Sequence, residues 1–114
     1  RYSPTEGWTR IADLPRAAVA APNPAFTSDN SDLLLFGGDD GAQLDVPPER
    51  HRGFPRDILR YDLRTGHWSR ARELPFSLVT TTTLHWNGRI VVPGGECRPG
   101  IRSTEVWSGR VMDR

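Results

Sequence analysis

The apolar positions of this chain fall in short runs. Asp32 to Phe36 (DLLLF) and Arg89 to Val92 (RIVV) show little polar alternation, which suits strands covered on both faces. Each run ends at a diglycine, Gly37-Gly38 and Gly94-Gly95, set 57 residues apart. Glycine there permits a positive φ and the close approach of a second backbone, so the chain can leave the strand sharply. A third strand is predicted beyond each, at Ile58 to Tyr61 (ILRY) and, less regularly, at Thr104 to Trp107 (TEVW). The Tyr2-to-Trp8 and Tyr61-to-Trp68 segments both run tyrosine, polar turn, tryptophan into an outer strand, where large aromatics serve packing between sheets.

The spacing repeats. Gly7-Trp8 followed by Leu14-Pro15 recurs as Gly66, Trp68 and Leu74-Pro75, 60 residues on. A period of this size, with diglycines after apolar runs, is the signature of propeller blades. The chain resembles the kelch-repeat family, which implies an all-β, kelch-type β-propeller. Its blades would be four-stranded, with strands A to D counted from the channel outwards. Residues 1–15 then carry a displaced outer strand at Trp8 to Asp13. Residues 16–75 form a complete blade from Ala17 to Phe26, Leu33 to Phe36, Asp57 to Tyr61 and Trp68 to Glu73. Residues 76–114 form a second blade lacking its outer strand, with Ser77 to Trp86 turning at Asn87-Gly88 into Arg89 to Val92, then Thr104 to Trp107.

Two blades cannot close a ring, because propellers need about four to eight. A two-blade wedge exposes apolar flanks and open sheet edges. The chain is therefore expected to be a piece of a longer protein or a self-associating subunit. Three copies in a head-to-tail homotrimer would complete a six-bladed ring, each displaced strand finishing a neighbour's blade.

Composition narrows the partners. With 114 residues, 36% hydrophobic, 25% charged and a formal net charge of +1, the chain suits one globular unit. All 15 basic residues are arginine, a bias of the source genome or a choice for bidentate anion recognition. They are dispersed rather than striped, which argues against nucleic acid as a partner. No apolar window is long enough for a membrane span. The chain begins at Arg1 without a signal peptide; a removed N-terminal segment would have taken any export signal with it, and a periplasmic or secreted location stays open. The single Cys97 excludes an internal disulfide.

Chemistry is expected in the loops leaving the B strands, which surround one mouth of a propeller channel. The first, Asp39 to Pro55, carries Asp39, Asp40, Asp45, Glu49, Arg50, His51 and Arg52, with Arg56 just beyond. A loop of this length is functional, mobile or a solvated insertion. Asp39 and Asp40, as chain neighbours, point opposite ways and do not read as a catalytic carboxylate pair. The second loop, Gly94 to Ser103 (GGECRPGIRS), sets Glu96 and Arg102 six residues apart around a Pro99-Gly100 turn. The turn lets them meet, as a salt bridge pinning the loop or as an acid/base carboxylate beside an anion-binding arginine.

The run Gly95-Glu96, Arg98-Pro99-Gly100, Arg102-Ser103 and Glu105-Val106-Trp107 resembles a motif of bacterial kelch proteins of the sialic acid mutarotase (N-acetylneuraminate epimerase) group. The resemblance implies Glu96 as general base and Arg102 as partner to a carboxylate or oxyanion. Arg98, Arg16, Asp39, Asp40 and Arg56 are expected to bind substrate. The implied reaction passes through the open-chain keto form of an acidic sugar and needs no metal or organic cofactor. Other readings are a non-catalytic protein- or peptide-binding kelch module, a carbohydrate-binding propeller without catalysis, and an inactive self-assembling fragment. A copper radical oxidase is disfavoured, because His51, His67 and His85 lack metal-ligand spacing and the tyrosines sit at packing positions.

Overall fold

A computed structural model describes residues 1–29 and 31–112. The last two positions of the expected second blade lie outside the described residues. The described chain is all β, with three antiparallel sheets and one short 3-10 turn, Pro48–Arg50. Strands β1 (Tyr2–Ser3) and β2 (Gly7–Trp8) pair alone. Strands β3 (Phe26–Ser28), β4 (Asp32–Phe36), β5 (Asp57–Asp62) and β6 (His67–Glu73) form a four-stranded sheet in sequence order. Strands β7 (Leu84–Trp86), β8 (Arg89–Arg98) and β9 (Ile101–Gly109) form a three-stranded one. These two antiparallel meanders are consistent with propeller blades.

Local chemistry explains the corners. Asn87 and Gly88 both hold positive φ, 49° and 68°, between the paired Trp86 and Arg89, as a two-residue hairpin turn requires. The β5–β6 corner closes on Asp62, whose Oδ1 accepts hydrogen bonds from the Arg64 and Thr65 amides at 2.8 and 3.2 Å. The aromatic repeat is a repeat of register. Tyr61 faces Trp68 across β5–β6 with rings 5.0 Å apart, and Tyr2 faces Trp8 across β1–β2 at 5.4 Å. Their exposures differ: Tyr61 is buried, whereas Tyr2 is 59% and Trp8 83% exposed.

Two strand expectations change. The inner strands expected over Ala17 to Phe26 and Ser77 to Trp86 form ladders only at their ends, β3 and β7, with isolated bridges elsewhere. Ala20 and Thr80 break the extended run with φ of 54° and 57°, and Pro22 and Pro24 lack the amides a ladder needs. The two inner segments instead pair with each other. Thr80 N donates to Ala20 O at 2.8 Å and Thr83 N to Asn23 O at 3.0 Å, tying the sheets together near the expected channel. The outer strand expected over Trp8 to Asp13 reaches only Trp8, and Gly7–Trp8 pairs with β1. Beyond Thr9, which bonds Arg1, the chain reaches β6 through the Trp68 indole, whose Nε1 donates to Ala12 O at 3.0 Å.

The core lies between the sheets. Phe76, Leu78 and Val92 are buried together with Leu74 and Trp107 against them, the Phe76 and Trp107 rings stacked at 5.5 Å. Burial of this kind contributes roughly 1.5–3 kcal/mol per large side chain. Within the first sheet Leu59 is fully buried, and Phe36 and Tyr61 are nearly so. Asp57 anchors the entry to the first sheet. It takes the Arg16 guanidinium through Nη2 and Nε, and these hydrogen bonds hold its carboxyl below the usual carboxylate range.

Candidate functional site

The site begins with the diglycines. A Cβ on Gly38 would lie 2.9 Å from the Ala18 Cα, and one on Gly95 would lie 2.7 Å from the Val79 carbonyl oxygen, at φ of 90° and 111°. No side chain fits either place. The close approach seats the next residue in a bridge with the inner segment, Asp39 with Val19 and Glu96 with Val79. Asp39 and Glu96 are thus equivalent positions in the two sheets.

From there the two connections diverge. The expected loop from Gly94 to Ser103 is a hairpin tip, because β8 continues to Arg98 and β9 starts at Ile101. Ladder pairing replaces a loose loop, with bulges at Pro93/Gly95 and Glu96/Arg98 absorbing the extra residues. Glu96 and Arg102 are direct cross-strand partners. The Arg102 Nη1 donates to Glu96 Oε2 at 2.5 Å, and the Gly100 amide donates to Oε1 at 2.8 Å. The Glu96 side chain is 20% exposed and that of Arg102 74%. Arg98 ends β8 two residues past Glu96 and is exposed.

The first connection is a braced insertion. The carboxylates of Asp39 and Asp40 accept the Gly41 and Ala42 amides at 2.8 and 2.9 Å, so both are engaged in local turns. The Gln43 amide spans the loop, its Nε2 donating to Gly53 O and its Oε1 accepting the Arg52 amide, both at 2.8 Å. His51 is buried against Phe54, and its Nδ1 accepts the Gly53 amide at 3.0 Å. The Phe54 amide donates to Ser77 Oγ, in the segment leading into the second sheet, at 2.6 Å. Gln43 and Ser77 have no signature in the sequence; both act through backbone partners that only the folded loop supplies.

The remaining expected residues lie apart from the pair. Arg16 is largely buried, with its guanidinium on Asp57 and on the carbonyls of Ala17 and Gly37. Arg56 is half exposed and reaches Glu73 at 3.5 Å. Three cavities of about 150, 280 and 360 Å³ lie along the seam between the sheets, and neither Glu96 nor Arg102 lines any of them. The Glu96–Arg102 pair lies at the hairpin end, with the arginine mostly exposed and the carboxylate largely covered. Among the described residues, no group of three His, Cys, Asp or Glu side chains is placed to hold a metal ion. Among the described residues, no helix is long and apolar enough to cross a membrane.

The chain is similar to N-acetylneuraminate epimerases. Those of Yersinia enterocolitica, Yersinia pestis and Yersinia pseudotuberculosis are each 26% identical to it. The alignments cover 98% of this chain for the first and 96% for the other two. They cover 35% and 34% of those proteins, so the chain spans about a third of the length of the curated relatives it matches. No family model matches the chain.

Proposed function

We propose that this chain is a two-blade, kelch-type segment of a six-bladed propeller that binds an acidic sugar beside Glu96 and Arg102 and exchanges its anomers. The cross-strand Glu96–Arg102 pair carries the reading, in a chain whose relatives are named N-acetylneuraminate epimerases.

The chemistry needs one proton acceptor. The Glu96 carboxylate takes the proton of the anomeric hydroxyl and delivers it to the ring oxygen as the ring C–O bond breaks, leaving the open-chain keto form and a free carboxylate. Rotation about the carbon–carbon bond and re-closure on the other face give the opposite anomer. On re-closure the carboxylate takes the proton of the attacking hydroxyl and gives it to the new anomeric oxygen, so the sugar's composition is unchanged. Arg102 keeps the carboxylate oriented through Nη1, and Oε1 is fixed by the Gly100 amide.

NMR exchange spectroscopy on N-acetylneuraminate tests this directly. The parent protein is expected to accelerate anomer exchange over buffer, and Glu96→Gln to remove about 10²-fold or more of the acceleration while the fold persists. Arg102→Lys keeps the charge but loses the fork, and is expected to weaken the site. No acceleration by the parent would remove the enzymatic reading.

A second reading has its own observation. Both Glu96 oxygens are used to pin the Pro99-Gly100 turn, as a purely structural ion pair would be. It predicts that Glu96→Gln lowers the melting temperature and changes no rate.

Assembly completes the proposal. Trp8, Tyr2, Trp86 and Val106 are large apolar side chains exposed on the segment, as blade flanks are before a neighbour covers them. Three copies would supply six blades, so light scattering is expected to give a mass near three protomers. A stable monomer would rule out the homotrimer.

A further inference from the structure

We propose that Arg52 and Arg98 form a carboxylate clamp across the two sheets, with Arg52 delivered to the site by the Gln43-braced loop. This rests on the reading that an acidic sugar binds beside Glu96. It also adds cations to that reading, because Arg102 shares its charge with Glu96 through Nη1.

The backbone brings the two arginines together. A Cβ built on Gly53 would lie 3.1 Å from Ser77 Oγ and 3.7 Å from the Cys97 carbonyl oxygen, so residue 53 runs against residue 97. Arg52 and Arg98 are the next residues along each strand of chain, and both are exposed. The loop is held there by four hydrogen bonds, two from Gln43, one from the Gly53 amide to His51 and one from the Phe54 amide to Ser77. Arg52 therefore leaves a fixed backbone, with little ordering left to do on binding.

Neither guanidinium has an ion-pair partner among the described residues, a property shared with Arg1, Arg50, Arg72, Arg89 and Arg110, but only Arg52 and Arg98 flank the contact of residues 53 and 97. Two unneutralised cations on adjoining backbones repel, and an anion between them relieves the repulsion. Planar, forked donors select a carboxylate.

The test observes the arginine Nε–Hε NMR signals of the 114-residue chain during titration with N-acetylneuraminate, glucuronate and, as an uncharged control, N-acetylmannosamine. Both the Arg52 and Arg98 signals are expected to move with the two acids and to stay still with the neutral sugar. Arg52→Gln and Arg98→Gln should each weaken acid binding by about tenfold or more, and the double variant by less than the product. Gln43→Ala should reproduce part of the Arg52→Gln loss without touching either guanidinium. An Arg52 signal unmoved by both acids, or an unchanged affinity in Arg52→Gln, overturns the clamp. The two proposals fail separately. Joint shifts without accelerated anomer exchange keep the clamp and remove the enzyme; accelerated exchange with an unchanged KM in Arg52→Gln does the reverse.

Discussion

The two connections that leave β4 and β8 start from the same geometry and end in different chemistry. Each passes a glycine pressed on the inner segment, and each then bridges that segment, through Asp39 or Glu96. Asp39 is one methylene shorter and turns back onto the Gly41 amide, and a 16-residue excursion over residues 40–55 follows. Glu96 reaches across a tight hairpin to Arg102 and Gly100. The second sheet thus presents an ion pair at a short hairpin tip, and the first contributes a braced loop that bonds Ser77 in the segment leading into the second sheet. Equivalent backbone positions carry different tasks because side-chain length and connection length differ, not because the scaffold does.

The largest expected effect breaks what the two regions share. Gly95→Ala forces a Cβ to 2.7 Å from the Val79 oxygen at a φ of 111°, and should cost about 3 kcal/mol or more in urea unfolding. Gly38→Ala should cost a similar amount, since its Cβ meets the Ala18 backbone. A harmless Gly38→Ala would show that the two corners are not equivalent.

A second comparison lies 60 residues apart, where Arg16, ahead of the first sheet, occupies the position that Phe76 holds ahead of the second. Phe76→Ala removes a buried ring stacked on Trp107 and should cost about 3–4 kcal/mol. Arg16→Ala leaves Asp57 with only the exposed Arg70 at 3.5 Å and should cost about 1–3 kcal/mol. Only the Arg16 site depends on pH. Because the folded Asp57 carboxyl lies below its ordinary value of 3.8, its contribution is present in full above that value and is lost as the pH falls below it. Acid unfolding of Asp57→Asn should therefore be shallower in that range; an unchanged slope would sink the assignment.

Smaller effects separate the connections themselves. Gln43→Ala releases two backbone partners and should cost about 1 kcal/mol by chemical denaturation, with faster amide exchange at Arg52 and little change at Gly100. Glu96→Gln should be mildest in stability, below about 1 kcal/mol, because its Arg102 partner is mostly exposed. A larger loss would favour the structural reading of that pair over the catalytic one.

Much of the architecture was legible in the sequence because it follows from local rules. Apolar runs without alternation marked β4 and the start of β8, the Asn87-Gly88 turn marked its hairpin, and the Tyr–Trp spacing marked a repeated corner. The meeting of Glu96 and Arg102 across Pro99-Gly100 was readable for the same reason: six residues and a tight turn leave few ways for the ends to miss.

Tertiary structure decided what depended on distant backbone. The inner segments looked like long strands, yet prolines and positive-φ residues shortened them, and their amides were satisfied by one another across the two sheets. The tip of the second sheet looked like a loop, but bulges let pairing run on to Arg98. Arg16 looked like a cation available to a ligand until Asp57, 41 residues away, and the Gly37 carbonyl took up its donors. The bracing of the long loop by Gln43 and Ser77 was invisible for the same cause. Short-range turn and burial preferences are written in neighbouring residues, whereas the partner of a polar side chain is whichever backbone the fold carries to it.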